Sequence, residues 1–310
     1  MVNWTTRNIP DQSGRLAIVT GSTGGTGYET ALELARKGAD VLIAARNPVK
    51  GDKAVARIRG AVPTANVRFE QLDLASQASV ADFADRMLWD GRPIDILVNN
   101  AGVMALPTRE ETVDGFEMQL ATNYLGHFAL TARLLRLLKA GQARVVSLSS
   151  IAHRRGRIAF DDLNAERGYD AWAVYSQSKL AMLMFGLELD RRSQANGWGL
   201  TSIAAHPGVA RTGLIAAGPL GRKPVARLVM NVFFPPIAPL FSNSAAGGAL
   251  PILMAATDPA VQGGAYVGVT RMREIKGPPG PARPEPQALD QAAAARLWEA
   301  TEALLGVRFG

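Results

Sequence analysis

The sequence has 310 residues, of which 47% are hydrophobic and 20% charged, a globular composition rather than a disordered one. Lys and Arg outnumber Asp and Glu by 34 to 27; the net charge of +7 suits an anionic partner such as a phosphate-bearing cofactor, and no nucleic-acid recognition motif accompanies it. There is no cysteine, which excludes a disulfide framework and thiolate chemistry and makes the reducing cytoplasm the expected compartment.

The start, Met1-Val2-Asn3-Trp4-Thr5-Thr6-Arg7, has no apolar stretch of the signal-peptide kind. No run anywhere reaches the ~20 apolar residues of a spanning helix, so no transmembrane segment is expected. From Arg15 onward short apolar runs alternate with longer helical stretches. Leu16–Thr20 reads as a buried strand, 28–37 as a helix closing at Gly38, and 41–45 and 67–72 as the next strands. Strands at 94–98 and 145–148 follow, each preceded by an amphipathic helical segment. Apolar runs this short, without polar alternation, suit strands covered on both faces. The expected fold is therefore α/β, a single-domain Rossmann-type doubly wound parallel sheet with helices on both faces, spanning 1–310.

Two segments break the rhythm. Residues 214–241 are apolar but interrupted by Gly218, Pro219, Gly221, Pro224, Pro235, Pro236 and Pro239, and 213–243 reads either as a substrate lid or as an irregular loop on the sheet edge. A C-terminal tail, 277–310, opens with Gly277-Pro278-Pro279-Gly280-Pro281, read as an extended connection to a last helix over 289–305.

Thr20-Gly21-Ser22-Thr23-Gly24-Gly25-Thr26-Gly27 follows the first strand and opens the first helix, where backbone amides and a positive helix end can meet a pyrophosphate. Gly21 permits the tight turn, Gly25 close backbone approach, and Gly27 close helix-on-strand packing; with Ser22, Thr23 and Thr26 they are the candidate phosphate-loop residues. The tip of the second strand, Ala44-Ala45-Arg46-Asn47, lacks the carboxylate that would hold a ribose 2′-OH. Arg46 instead offers a planar cation to a 2′-phosphate, so NADP(H) is expected over NAD(H).

Tyr175-Ser176-Gln177-Ser178-Lys179 puts a phenol and an ammonium four residues apart on one helix face. A free phenol titrates near pH ~10, and a nearby ammonium lowers that value, fitting Tyr175 for proton exchange with an alcohol. The strand Val145-Val146-Ser147-Leu148-Ser149-Ser150 ends in hydroxyls, and Asn99-Asn100-Ala101-Gly102 follows another strand. In parallel sheets ligands sit beyond the carboxyl ends of the strands, so these groups should converge with the glycine loop on one edge.

The ordered set of motifs over about 14–212 resembles the short-chain dehydrogenase/reductase family. The likeness runs through the Thr-Gly-x-x-x-Gly-x-Gly loop, Asp73-Leu74, Asn99-Asn100-Ala101-Gly102, Asn123, Ser150, Tyr175-x-x-x-Lys179 and Pro207-Gly208-Val209-Ala210-Arg211-Thr212. It implies that Tyr175 is general acid in reduction and base in oxidation, and that Lys179 depresses its pKa and holds the nicotinamide ribose. Ser150, rather than Ser149, would bond the substrate oxygen, and Asn123, in a helix, would anchor a water relaying protons to Lys179. Asp73 and Leu74 would meet the adenine. Asn99, Ala101, Gly102, Pro207 and Gly208 would support the cofactor site, and Thr212 would hold the carboxamide. The family's habit of pairing through long helices, here 115–139 and 174–192, implies a homodimer or homotetramer. Ser149-Ser150-Ile151-Ala152-His153-Arg154-Arg155-Gly156-Arg157-Ile158, Ala45-Arg46-Asn47 and Leu297-Trp298-Glu299 are similar to the retinol-dehydrogenase-like branch, which implies a lipophilic, retinal-like aldehyde or alcohol as substrate.

His127, His153 and His206 lie on different predicted elements with no ligand spacing, so no metal site is expected. Met182 and Met184 read as core, and Arg154, Arg155 and Arg157 as a solvated basic loop. The competing reading is a catalytically silent NADP(H)-binding sensor or scaffold of the same fold.

Overall fold

The computed structural model describes residues 4–209 and 242–309. Thr212 and nearly all of the expected lid at 213–243 lie outside them. The strands are β1 (Leu16–Thr20), β2 (Asp40–Ala45), β3 (Val67–Gln71), β4 (Ile96–Asn99), β5 (Arg144–Leu148), β6 (Thr201–Ala205), β7 (Tyr266–Arg271) and β8 (Lys276–Pro281). They form one sheet in the order β3-β2-β1-β4-β5-β6-β7-β8. The first seven run parallel; β8 returns antiparallel to β7.

Alternation along each strand sends neighbours into two separate cores. Leu16 and Ile18 of β1 face one core, Ala17 and Val19 the other. The first is packed by α3 (Gln77–Asp90), α4 (Gly126–Arg133), α6 (Ala171–Asn196) and α8 (Gln291–Leu305); the second by α1 (Gly25–Arg36), α2 (Pro48–Ala61) and α7 (Ala245–Thr257). Because β1 is wholly buried, it reads as an unbroken apolar run. Local signals set the helix starts: Asn47, Ser76 and Asp170 each accept a backbone N–H of the first turn of α2, α3 and α6.

Two expectations need correction. The Pro-rich stretch read as a connection is β8, tolerated because an edge strand can spare the ladder donors that proline lacks. The helix expected over 115–139 is interrupted: a π turn at Ala121–Leu125 precedes α4, and Leu134, at φ −87° and ψ 0°, separates α4 from α5 (Leu135–Ala140). On the α4 and α6 side of the sheet, this chain's own C-terminal residues complete an aromatic cluster. Trp298 lies 4.9 Å from Phe128 and stacks on Phe185 at 5.6 Å, with Phe309 at 4.4 Å closing the cluster.

Candidate active site

The carboxyl ends of the central strands open into a cleft of ≈ 1040 Å³ that runs from the glycine loop to Trp172. Gly21 enters the loop at φ 65°, and a Cβ there would lie 2.8 Å from Ala101. On Gly27 a Cβ would meet Asn100 Nδ2 at 2.4 Å. Close packing of this kind needs glycine at both positions. Asn100 ties the loop down, donating to the Thr20 carbonyl at 2.7 Å and accepting from Thr26 Oγ1 at 3.1 Å.

Unlike α2, α3 and α6, helix α1 begins with no side-chain cap, at Gly24, where a Cβ would have no atom within 4 Å. An uncapped helix start beside open space fits the pyrophosphate of a dinucleotide. Gly21, Thr23, Gly25 and Thr26 line the cleft; Ser22 does not, since its hydroxyl is buried and donates to the Val19 carbonyl at 2.7 Å. Gly27 likewise packs behind the wall.

At the far end of that half stand Arg46, Asn47, Lys50, Asp73 and Leu74. The Arg46 side chain is exposed and makes no hydrogen bond or ion pair with the described residues. Asp73 is partly engaged, its Oδ1 accepting the Ala75 amide at 3.0 Å. Ala101 and Gly102 line the cleft, whereas Asn99 is fully buried behind it and donates to Thr131 Oγ1 at 3.1 Å.

At the other end Ser150, Tyr175 and Lys179 meet. Ser150, two residues past β5, caps the turn Ile151–Arg155 and lines the cleft with Tyr175, whose phenol pKa its hydroxyl acts to lower; Ser149 instead turns inward and donates to the Lys179 carbonyl at 2.8 Å. Only the second serine thus presents its hydroxyl to the phenol. Lys179 Nζ donates to the Leu148 carbonyl at 3.2 Å and lies 5.9 Å from the Tyr175 ring centre. Burial pushes the Lys179 ammonium down to about 8 and the Tyr175 phenol up from its ordinary value, with the Ser150 hydroxyl acting against the latter. Desolvation, rather than the expected lowering by the lysine, dominates the phenol in this state.

Asn123 sits in the π turn. Its amide donates to the Val103 carbonyl at 3.0 Å and to Ser178 Oγ at 2.9 Å, and its Oδ1 accepts the Val103 amide at 2.8 Å. A Cβ on Gly102 would lie 3.0 Å from Asn123 Oδ1 and 3.4 Å from Lys179 Nζ, so this glycine separates the two side chains. Pro207 and Gly208 line the same end. Sequence reading missed Trp172, which lies edge-on to the Tyr175 ring at 6.0 Å, and the apolar wall of Val103, Met104 and Leu106. The i, i+3 spacing of Trp172 and Tyr175 was the available signal. No group of acids and histidines among the described residues could hold a metal. Arg154, expected in a solvated loop, is instead ion-paired to Glu274 at 2.7 Å.

Residues 15–218 match the family model described as short chain dehydrogenase. The chain is 40% identical to human retinol dehydrogenase 13, over 95% of this chain and 85% of that one. It is also 40% identical to mouse polyprenol dehydrogenase, over 94% and 83%. Among solved structures, an uncharacterized protein from Mycobacterium paratuberculosis is 37% identical, with full coverage of both chains and a TM-score of 0.81.

Proposed function

The chain belongs to the short-chain dehydrogenase family, in its retinol-dehydrogenase-like branch, and on that premise we propose that it interconverts a lipophilic carbonyl and its alcohol with NADP(H). Membership makes it an NAD(P)-dependent oxidoreductase acting on CH–OH groups. The observation that carries the finer reading is the convergence of Ser150, Tyr175 and Lys179 on one apolar end of the cleft, with Tyr175 and Lys179 one helical turn apart.

When bound, the dinucleotide supplies or accepts the hydride. The protein's share is to place and move the proton. Ser150 orients the substrate oxygen, and the Tyr175 hydroxyl gives up its proton to that oxygen in reduction and takes it back in oxidation. Lys179 favours the phenolate by charge. Asn123 holds the Val103 strand exit and Ser178 beside them, and the glycine loop with α1 receives the pyrophosphate.

Two features support the finer assignments. Arg46, exposed and unengaged by described residues, stands where a 2′-phosphate would lie, which supports NADP(H). Val103, Met104, Leu106, Ile151 and Trp172 give the catalytic end an apolar wall, which supports a long apolar substrate. The names of the retinol and polyprenol relatives point the same way. A cysteine-free chain suits the cytoplasm. Among the described residues no helix is long and apolar enough to cross a membrane.

The test is NADPH and NADH consumption against aldehydes and ketones from short-chain to retinoid and steroid. Turnover confined to the apolar members, selective for NADPH and abolished in Tyr175→Phe, is expected. A Tyr175→Phe variant that keeps turnover would sink the mechanism.

A further inference from the structure

The hairpin between β7 and β8 turns through Met272, Arg273 and Glu274, three successive non-glycine residues at φ 51°, 53° and 65°. L-residues avoid that region, and a run of three persists only where surrounding contacts over-determine it. Here the turn sets one largely buried carboxylate among partners from three separate segments. Glu274 Oε2 lies 2.7 Å from Arg154 Nη2 and 3.3 Å from His206 Nε2, and Oε1 accepts the Arg283 amide at 3.0 Å.

Two of these contacts, with Arg154 and His206, lead back to the catalytic end. Arg154 belongs to the turn that Ser150 opens, and its Nη1 also donates to the Arg273 carbonyl at 3.1 Å. His206 is fully buried and immediately precedes Pro207 and Gly208 on the cleft wall, and its Nε2 has no other polar partner among the described residues. The same hairpin holds that wall through its backbone: Val209 donates its amide to the Ile275 carbonyl at 2.9 Å. A Cβ on Gly208 would lie 2.4 Å from that carbonyl oxygen. Between the two arms the Tyr266 ring lies 5.4 Å from His153 and 5.2 Å from His206, filling the space with rigid rings.

We propose that Glu274 is a positioning residue, one carboxylate on a strained turn that fixes the Ser150 turn through Arg154 and the Pro207–Gly208 wall through His206. It rests on the reading above, in which these two segments flank the reacting groups. The sheet's far edge thereby sets the spacing across the catalytic end, although Glu274 itself does not line the cleft. Glu285, 3.7 Å from Arg154 Nε, and Gln287, which donates to the Arg154 carbonyl at 3.2 Å, remain when Glu274 is changed. The turn therefore stays folded but loses its link to His206.

The deciding experiment is hydrogen exchange on the cofactor-free protein, comparing the parent with Glu274→Gln. Peptides covering 151–156 and 206–209 should both exchange faster, about five-fold or more, while β1 to β4 stay unchanged. With NADPH and decanal, kcat should fall about ten-fold, affinity for 2′,5′-ADP should stay within about two-fold, and Glu274→Asp should recover part of the loss. Arg154→Met should lower kcat similarly and add little to Glu274→Gln, because both remove one link. Faster exchange confined to 271–276, or kcat within about two-fold of the parent, would overturn the proposal. Should Glu274→Gln not fold, Arg154→Met decides by the same exchange readout. The outcome for Tyr175→Phe bears on the chemistry alone, so either reading can fail without the other.

Discussion

Nε2 of His127 lies 2.9 Å from the Thr20 hydroxyl, joining the helix beyond Asn123 to the end of β1 beneath the glycine loop. Burial pushes the imidazole down to about 3, so it is neutral at working pH. Its Nδ1, 3.0 Å from the Asn123 carbonyl, must carry the proton, because a carbonyl only accepts; Nε2 then accepts from Thr20. The Thr20 oxygen in turn accepts the Asn100 and Ala101 amides at 2.9 and 3.0 Å. One hydroxyl thus holds together the first strand, the Asn-Asn-Ala-Gly turn and the π turn.

Thr20→Val keeps the shape but leaves a buried ring nitrogen and the Ala101 amide without a partner, while the Asn100 amide keeps the Val98 carbonyl at 3.0 Å. Loss of about 3 kcal/mol of stability is expected in urea melts, against less than about 1 kcal/mol for Thr20→Ser, which keeps the hydroxyl. A larger loss in Thr20→Ser than in Thr20→Val would show that the methyl contact, not the hydrogen bonding, matters.

Lys179 makes the opposite trade. Its ammonium is buried with one carbonyl partner and titrates at about 8 instead of 10.5. Below pH 8 it is charged in folded and unfolded chains alike and burial of the charge is a full penalty. Between 8 and 10.5 the unfolded chain alone keeps the proton, so stability rises with pH across that window. Lys179→Met should therefore melt about 3 °C higher at pH 7 in the absence of cofactor, with the gain shrinking as pH rises toward 10.5, while turnover is lost. A lower melting temperature at pH 7 would refute this account.

The proposed preference for NADP(H) rests on Arg46. Arg46→Ala should raise the KM for NADPH about ten-fold or more and leave that for NADH within about two-fold, since a charge-assisted phosphate contact is worth over 1.4 kcal/mol by rough estimate. Parallel changes for both cofactors, read from initial rates, would remove Arg46 from that role.

The two glycines of the loop should separate cleanly. Gly27→Ala puts a methyl 2.4 Å from Asn100 Nδ2, whereas Gly24→Ala, at an extended φ of −171°, meets nothing. The first should weaken dinucleotide binding about ten-fold or more and lower the melting temperature, and the second should leave the melting temperature unchanged, checked by calorimetry and fluorescence titration.

How much of this was legible in the sequence follows from how local each signal is. Strands β1 to β5 were read from continuous apolar runs, and Tyr175 with Lys179 from one helical turn. Strands β6 and β7 passed unread, and β8 was hidden because Lys276-Gly277-Pro278-Pro279-Gly280-Pro281 carries no strand-like pattern of side chains and is held only by its pairing with β7. Ser150 could be preferred to Ser149 by resemblance, but the physical reason, that Ser149 is spent on the Lys179 carbonyl, needs the packed helix. The Glu274 contacts were beyond reach for the same reason: a salt bridge between Arg154 and a residue 120 positions later leaves no mark in either neighbourhood.

The aromatic cluster of Phe128, Phe185, Trp298 and Phe309 also fixes when the reactive helix can be complete. Phe185 lies on the same helix as Tyr175 and Lys179; Phe128 on one side of it is made earlier, but Trp298 and Phe309, which complete its cover, are encoded roughly a hundred residues later. During synthesis that helix must wait, its apolar flank uncovered, until the final stretch leaves the ribosome. Until then the helix that carries Tyr175 and Lys179 lacks the rings that complete its packing.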